Sequence, residues 1–196
     1  MRLFVLVTFI SLCFACGPDN RLPGDVYFES GEFNQAIAAY NDYLQSNKAT
    51  EAVLYNRGRS YEELEKWEEA LEDFENVIKI NVKSAAAYLS IANVRYEQKR
   101  YQQSLLQVAK ALEITDSNAQ AHFIAARAKH QLGYIEGAME SYTQAIDLNR
   151  NYGDAFLYRG ALKVATKQTR SACADFLKAK NLRVEGAQDA LRKYCK

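Results

Sequence analysis

Two prolines, two histidines and one tryptophan are all that this chain of 196 residues carries of those types, and each scarcity narrows what it can be. Both prolines, Pro18 and Pro23, lie near the front, so no helix after residue 23 is interrupted by a ring that lacks an N–H donor. The histidines, His122 and His130, stand eight residues apart and outside any H-E-x-x-H spacing, which removes the commonest helical zinc site. No G-x-G-x-x-G, P-loop or G-x-S-x-G is present, so the dinucleotide, phosphate and serine-nucleophile signatures are missing. Net charge is only +1, without the basic excess of a nucleic-acid binder. The long apolar run at the front, Leu3 to Phe14, is broken only by Thr8 and Ser11 and falls short of the roughly 20 residues that span a bilayer. What remains is ordinary globular composition, 48% hydrophobic and 25% charged, which is enough to build a core and argues against disorder.

The front of the chain reads as a secretory signal over residues 1–15: one base, Arg2, then the apolar run, then small Ala15 directly before Cys16. Leu12-Cys13-Phe14-Ala15-Cys16 resembles a bacterial lipobox, with Leu12 one place early and bulky Phe14 inside the box. The leading expectation is a lipidated Cys16 followed by a short tether over 16–22, exported to the periplasmic face of an envelope membrane. Plain cleavage after Ala15 and an uncleaved anchor are the alternatives. Cys13 and Cys16 also have C-x-x-C spacing, but no βαβ pattern surrounds them and cleavage would part them.

From Pro23 onward the chain repeats itself every 34 residues. Ala36, Ala70, Ser104, Ala138 and Ala172 form one column, and Tyr40, Phe74, Val108, Tyr142 and Phe176 another. Gly24, Gly58, Ala92, Ala126 and Gly160 form a third, while Tyr43, Val77, Ala111, Ala145 and Ala179 form a fourth. Matched size in four columns over five periods marks a repeat array. Within each period, apolar and small residues recur at helical intervals on two segments, as in Leu54, Gly58 and Tyr61, then Ala70, Leu71, Phe74, Val77 and Ile78. Strand signals are absent. The expected fold is all-α: an α-solenoid of antiparallel helix pairs, with small Gly58 and Ala70 where the two helices pack most closely.

Leu54, Gly58, Tyr61, Trp67, Ala70 and Phe74 resemble the tetratricopeptide repeat, and the third to fifth periods follow with Tyr88, Ala92 and Val108, His122, Ala126 and Tyr142, then Phe156, Gly160 and Phe176. The family's terminal proline is replaced by Lys48, Val82, Asp116, Arg150 and Val184. Asn81 and Asn149 are expected to end their helices in the left-handed conformation instead. The array is placed at 23–182, with its first helix starting near Pro23, and a capping helix at 183–196 carries Ala187, Ala190, Leu191 and Tyr194 on one stripe. Solenoids need such a cap, since each repeat buries its core only against its neighbours. Folding the cap back brings Cys195 toward Cys173, so an oxidising compartment permits a disulfide; two separate buried thiols are the alternative.

The resemblance implies a protein-interaction scaffold rather than an enzyme, without cofactor or metal. Its inner wall is expected on the first helix of each pair, at Tyr55, Arg59, Leu89, Asn93, Tyr96, Phe123, Arg127 and His130. Arg59, Asn93 and Arg127 are 34 apart and stack in one row, a groove suited to an extended protein or peptide segment with an acidic group and apolar side chains. Chaperone-binding relatives hold a terminal Glu-Glu-Val-Asp with lysines and asparagines, and the lysines are missing here. His122 falls in a bulky core column and is read as packed. A second reading is a structural subunit, a homo-oligomer formed through the outer face or the cap. Charge is unevenly spread along the chain. Glu62 to Glu75 holds eight acids and one base, Arg159 to Lys196 ten bases and three acids, which reads as two solvated faces or as a docking surface.

Overall fold

A computed structural model describes residues 21–195; the segment expected to be a signal, Cys16 and most of the expected tether lie outside them. The described residues form eleven helices and no strand. Five antiparallel pairs follow in order: α1 (Pro23–Glu29) with α2 (Phe33–Ser46), α3 (Glu51–Glu63) with α4 (Trp67–Ile80), α5 (Ala85–Glu97) with α6 (Tyr101–Ile114), α7 (Ala119–Gln131) with α8 (Ile135–Leu148), and α9 (Gly153–Ala165) with α10 (Thr169–Asn181). α11 (Ala187–Tyr194) packs against α10 and α9. Among the described residues no helix is long and apolar enough to cross a membrane.

The small and aromatic columns meet inside each hairpin. A methyl group added at Gly58 would lie 2.8 Å from the Phe74 ring, at Gly160 2.6 Å from Phe176, and at Gly24 2.5 Å from Tyr40. Glycine thus lets the first helix rest on the ring of the second. Ala36, Ala70, Ala138 and Ala172 have no exposed surface, and neither do Tyr40, Phe74 and Tyr142. Each core is then closed by the following pair, as Ile91 and Val94 close over Phe74. Thr50 and Asn118 occupy one column and cap α3 and α7, accepting from the amides of Val53 and Ala121.

The left-handed residues lie elsewhere than Asn81 and Asn149, whose φ values of −136° and −137° are extended. Their side chains instead accept from the amides two residues on, in turns between repeats. Positive φ falls at Gly31, Glu65, Lys99, Gly133 and Lys167, in the turn inside every hairpin and again 34 residues apart, and beyond the last pair at Gly186 and at Arg183, which alone in the column of Asn81 and Asn149 is left-handed. There the amide of the next residue reaches back five positions, as Lys66 does to the carbonyl of Tyr61 at 2.9 Å, and Glu65 bonds to Glu62. That double closure satisfies two of the carbonyls left over at the end of the first helix. Three of the five hairpin positions carry Glu or Lys, so residue type does not mark them as left-handed.

At the front, Leu22 is half-buried against Ala36, Tyr40 and Val53, so the packing reaches one residue before Pro23. Proline sits in the first turn of α1, where its missing donor costs nothing. At the rear, Ala187 is fully buried in the last core cluster beside Ala155, Phe156 and Leu162. Cys173 on α10 and Cys195 after α11 are joined as a disulfide with their Cα atoms 5.7 Å apart.

Candidate functional site

The first helices of successive pairs, α3, α5 and α7, lie side by side and form the inner wall. The row of Arg59, Asn93 and Arg127 is present, but it is not a bare cationic strip. Arg59 pairs with Glu62 at 2.9 Å and Glu63 at 3.3 Å, and Asn93 on the next helix donates to Glu62 at 2.6 Å. Arg127 pairs with Glu97 at 3.2 Å, and its guanidinium carbon lies 3.9 Å from the centre of the Tyr96 ring. Burial lifts the pKa of Glu62 in spite of Asn93 and Arg59. For Arg59, burial is outweighed by Glu62, Tyr55 and Glu63, and for Arg127 by Tyr96, Glu97 and Tyr158, so both arginines are raised. The wall thus supplies its own counter-ions, and Arg59 and Arg127 are not bare charges.

Other expected wall residues divide between surface and core. Tyr55 is half-buried, and its hydroxyl accepts from Ser90 of the next repeat at 3.4 Å. Leu89 is 4% exposed and belongs to the core around Val108, so it is not free to touch a ligand. Phe123, 8% exposed, is likewise mostly core. His130 is half-buried at the end of α7. His122 is not a packed core residue: it is half-exposed and leans on the carbonyl of Asp116 at 3.4 Å.

Between α7 and α9 the wall becomes aromatic. Phe123 has Tyr152 at 4.8 Å, Tyr158 at 5.8 Å and Tyr142 at 6.0 Å between ring centres, and Tyr158 stacks on Tyr142. Burial lifts the Tyr152 phenol to about 12. Two polar atoms here, Nε of Arg127 and the hydroxyl of Tyr142, are buried without a hydrogen-bond partner. Such groups are few in folded proteins and each costs about 1–3 kcal/mol. Tyr152 and Tyr158 went unnoticed in the sequence, although Tyr152 stands in the capping column of Thr50, Ser84 and Asn118, where an aromatic is out of place.

A second set of polar contacts holds the repeats together away from this wall. Arg57 donates to both oxygens of Asp73, at 2.8 and 2.6 Å, and to Asn41 of the preceding repeat at 2.7 Å. Three repeats on, Arg159 does the same to Asp175, at 2.9 and 2.8 Å, and reaches Thr143 at 3.2 Å. A recess of about 460 Å³, with Ile135, Met139 and Thr143 among its lining, opens between α8 and the turn from α9 to α10.

Stacked helix pairs with a continuous inner wall define an α-solenoid repeat protein, a class whose long concave surface serves recognition. Within that class this chain carries tetratricopeptide repeats: models of the tetratricopeptide repeat match residues 52–83 and 119–152. Solved structures share the fold. A thermophilic tetratricopeptide protein of Thermus thermophilus superposes with a TM-score of 0.71 at 20% identity, over 86% of this chain and 95% of its own. MamA gives 0.69 at 20% identity over 87% and 97% of the two chains. YrrB, described as having an unusual peptide-binding site, gives 0.64 at 18% over 87% of each. By sequence, a Dictyostelium discoideum homolog of DnaJ homolog subfamily C member 7 is 24% identical over 183 residues, 85% of this chain and 34% of its own. The mitochondrial import receptor subunit TOM70 of Rattus norvegicus is 27% identical over 126 residues, 61% of this chain and 20% of its own. The chain thus spans about a third or less of these two relatives.

Proposed function

We propose that this protein is a non-enzymatic scaffold that binds a protein or peptide segment along its inner wall, with the aromatic stretch between α7 and α9 as the main point of attachment. The observation that carries this reading is the pair of buried donors, Arg127 Nε and the Tyr142 hydroxyl, left without acceptors beneath aromatic rings. Tyr158 is 39% exposed, and its displacement by an incoming side chain opens them to an acceptor on the ligand. Glu62, Glu63 and Glu97 along the same wall select against a run of acids and favour apolar or aromatic side chains. A photo-crosslinking residue in place of Tyr158 should capture a partner, whereas the same residue at Leu106 on the outer surface should not. Capture from Leu106 alone would move binding off the inner wall.

The scaffold is held, in this proposal, at the periplasmic face of a bacterial envelope membrane by a lipid on Cys16 after removal of residues 1–15. The Ala15-Cys16 junction behind an apolar run supports it. Metabolic labelling with a fatty-acid analogue should mark the protein and fail on Cys16→Ser. An unlabelled, freely soluble wild type would discard the anchor without touching the groove.

A further inference from the structure

The outer faces of α4 and α10 occupy the same repeat columns with opposite charge. Glu65 corresponds to Lys167 and Glu68 to Arg170, three repeats on. Glu69, Glu72 and Glu75 continue the exposed acidic face of α4, while Lys178, Lys180 and Arg183 continue the basic face of α10 and the turn after it. Of these, Glu65, Glu69, Glu72 and Glu75 stand in no ion pair among the described residues, and neither do Lys167, Arg170, Lys178, Lys180 and Arg183. The buried acids and bases nearby are matched locally, Asp73 by Arg57 and Asp175 by Arg159 and Lys163. Each face also exposes apolar surface: Ile80 at 53% and Val82 at 67% at the end of α4, and Leu177 at 50% within the basic stripe of α10.

Like charges gathered on one exposed face repel in an isolated molecule, most where they stand three or four residues apart, as Glu68, Glu72 and Glu75 do on α4. Two such faces of opposite sign, on a chain whose net charge is only +1, complement each other without long-range repulsion between copies. We propose that the basic outer face of α10 docks on the acidic outer face of α4 of a second copy. Leu177 in the basic face, with Ile80 and Val82 beside the acidic one, adds exposed apolar surface to the charge pairing. The contact uses two different patches, so two copies either satisfy both patches in a closed pair or continue head to tail. The inner wall stays free for its partner, which makes this contact independent of the groove.

Sedimentation velocity of the full chain at about 0.05 M and about 0.5 M salt tests it, because contacts between exposed charges are screened over that range. Self-association at low salt should weaken at least about tenfold at high salt. Glu72→Lys with Glu75→Lys should abolish it, as should Arg170→Glu with Lys178→Glu, with helicity unchanged in both. Mixing the two variants should restore a complex, because each then offers the face that the other needs. A wild type that is monomeric at low salt, an association indifferent to salt, variants that associate like wild type, or a mixture that stays monomeric would each overturn the proposal. Capture of a monomeric wild type by phosphatidylglycerol vesicles, lost in Arg170→Glu with Lys178→Glu, would assign the basic face to lipid instead.

Discussion

Arg57 holds Asp73 through two parallel hydrogen bonds while its third nitrogen reaches Asn41 in the preceding repeat. One guanidinium therefore ties α3 to both α4 and α2. Burial raises the pKa of Asp73, against the pull of Arg57, so the carboxylate depends on its partner for charge compensation. Arg57→Ala should destabilise the array by about 3 kcal/mol, whereas Arg57→Leu with Asp73→Leu should cost much less, because no charge is then left buried. Equal losses in urea melts of the two variants would show that packing, not charge, dominates the contact.

Glu62 sets a pH dependence of opposite kind to that of an exposed paired carboxylate. Its folded pKa lies above the unfolded value because burial outweighs Asn93 and Arg59. Its contribution to stability is thus full below the unfolded pKa and is lost as pH rises through the folded one. Glu62→Gln keeps an acceptor for Asn93 and removes the charge, so it should raise the melting temperature at about pH 7, with the gain fading toward about pH 4. Paired thermal melts across that range check it, and a variant less stable at neutral pH would show that the Arg59 contact prevails.

The hairpin turns give a third expectation. Gly133 and Lys99 share the left-handed position, with φ of 78° and 60°. Gly133→Ala should destabilise by about 1 kcal/mol although nothing lies within 4 Å of the added carbon, and Lys99→Gly should stabilise by up to about 1 kcal/mol. Chemical denaturation of both variants measures it.

Cys173 and Cys195 close a loop with a sequence separation of 22, and such a bond stabilises by about 3 kcal/mol when it restricts the unfolded chain. Cys195→Ser should lower stability by that order, and reduction should make wild type match the variant. Peptide mapping of unreduced protein should find the two residues linked, and two free thiols would remove the bond.

Periodicity carried the architecture because each core position recurs: Gly58 against Phe74 is readable once Gly160 and Phe176 repeat it. The candidate site was less legible, for a physical reason. Arg59 and Arg127 were visible as a row, but their neutralisation depends on residues of other columns: Glu62 stands one turn on in the same helix, whereas Glu97 meets Arg127 only when α5 and α7 pack side by side. Tyr158 shares its column with Asn56, Ser90 and Ile124, so no repetition marked it, and its role comes from the neighbours Phe123 and Tyr142. Arg57 and Asp73 were detectable from their recurrence as Arg159 and Asp175 at the same spacing of 16, a pairing that size-based columns overlook.

The clasp at the rear and the seven-residue α1 at the front give the array a direction. Each repeat leans on its neighbours, so a solenoid comes apart from its ends, and here one end is stitched shut while the other is a short helix. A force or a protease that unzips the molecule starts at α1 and advances pair by pair toward α10, where the stitched end meets it last.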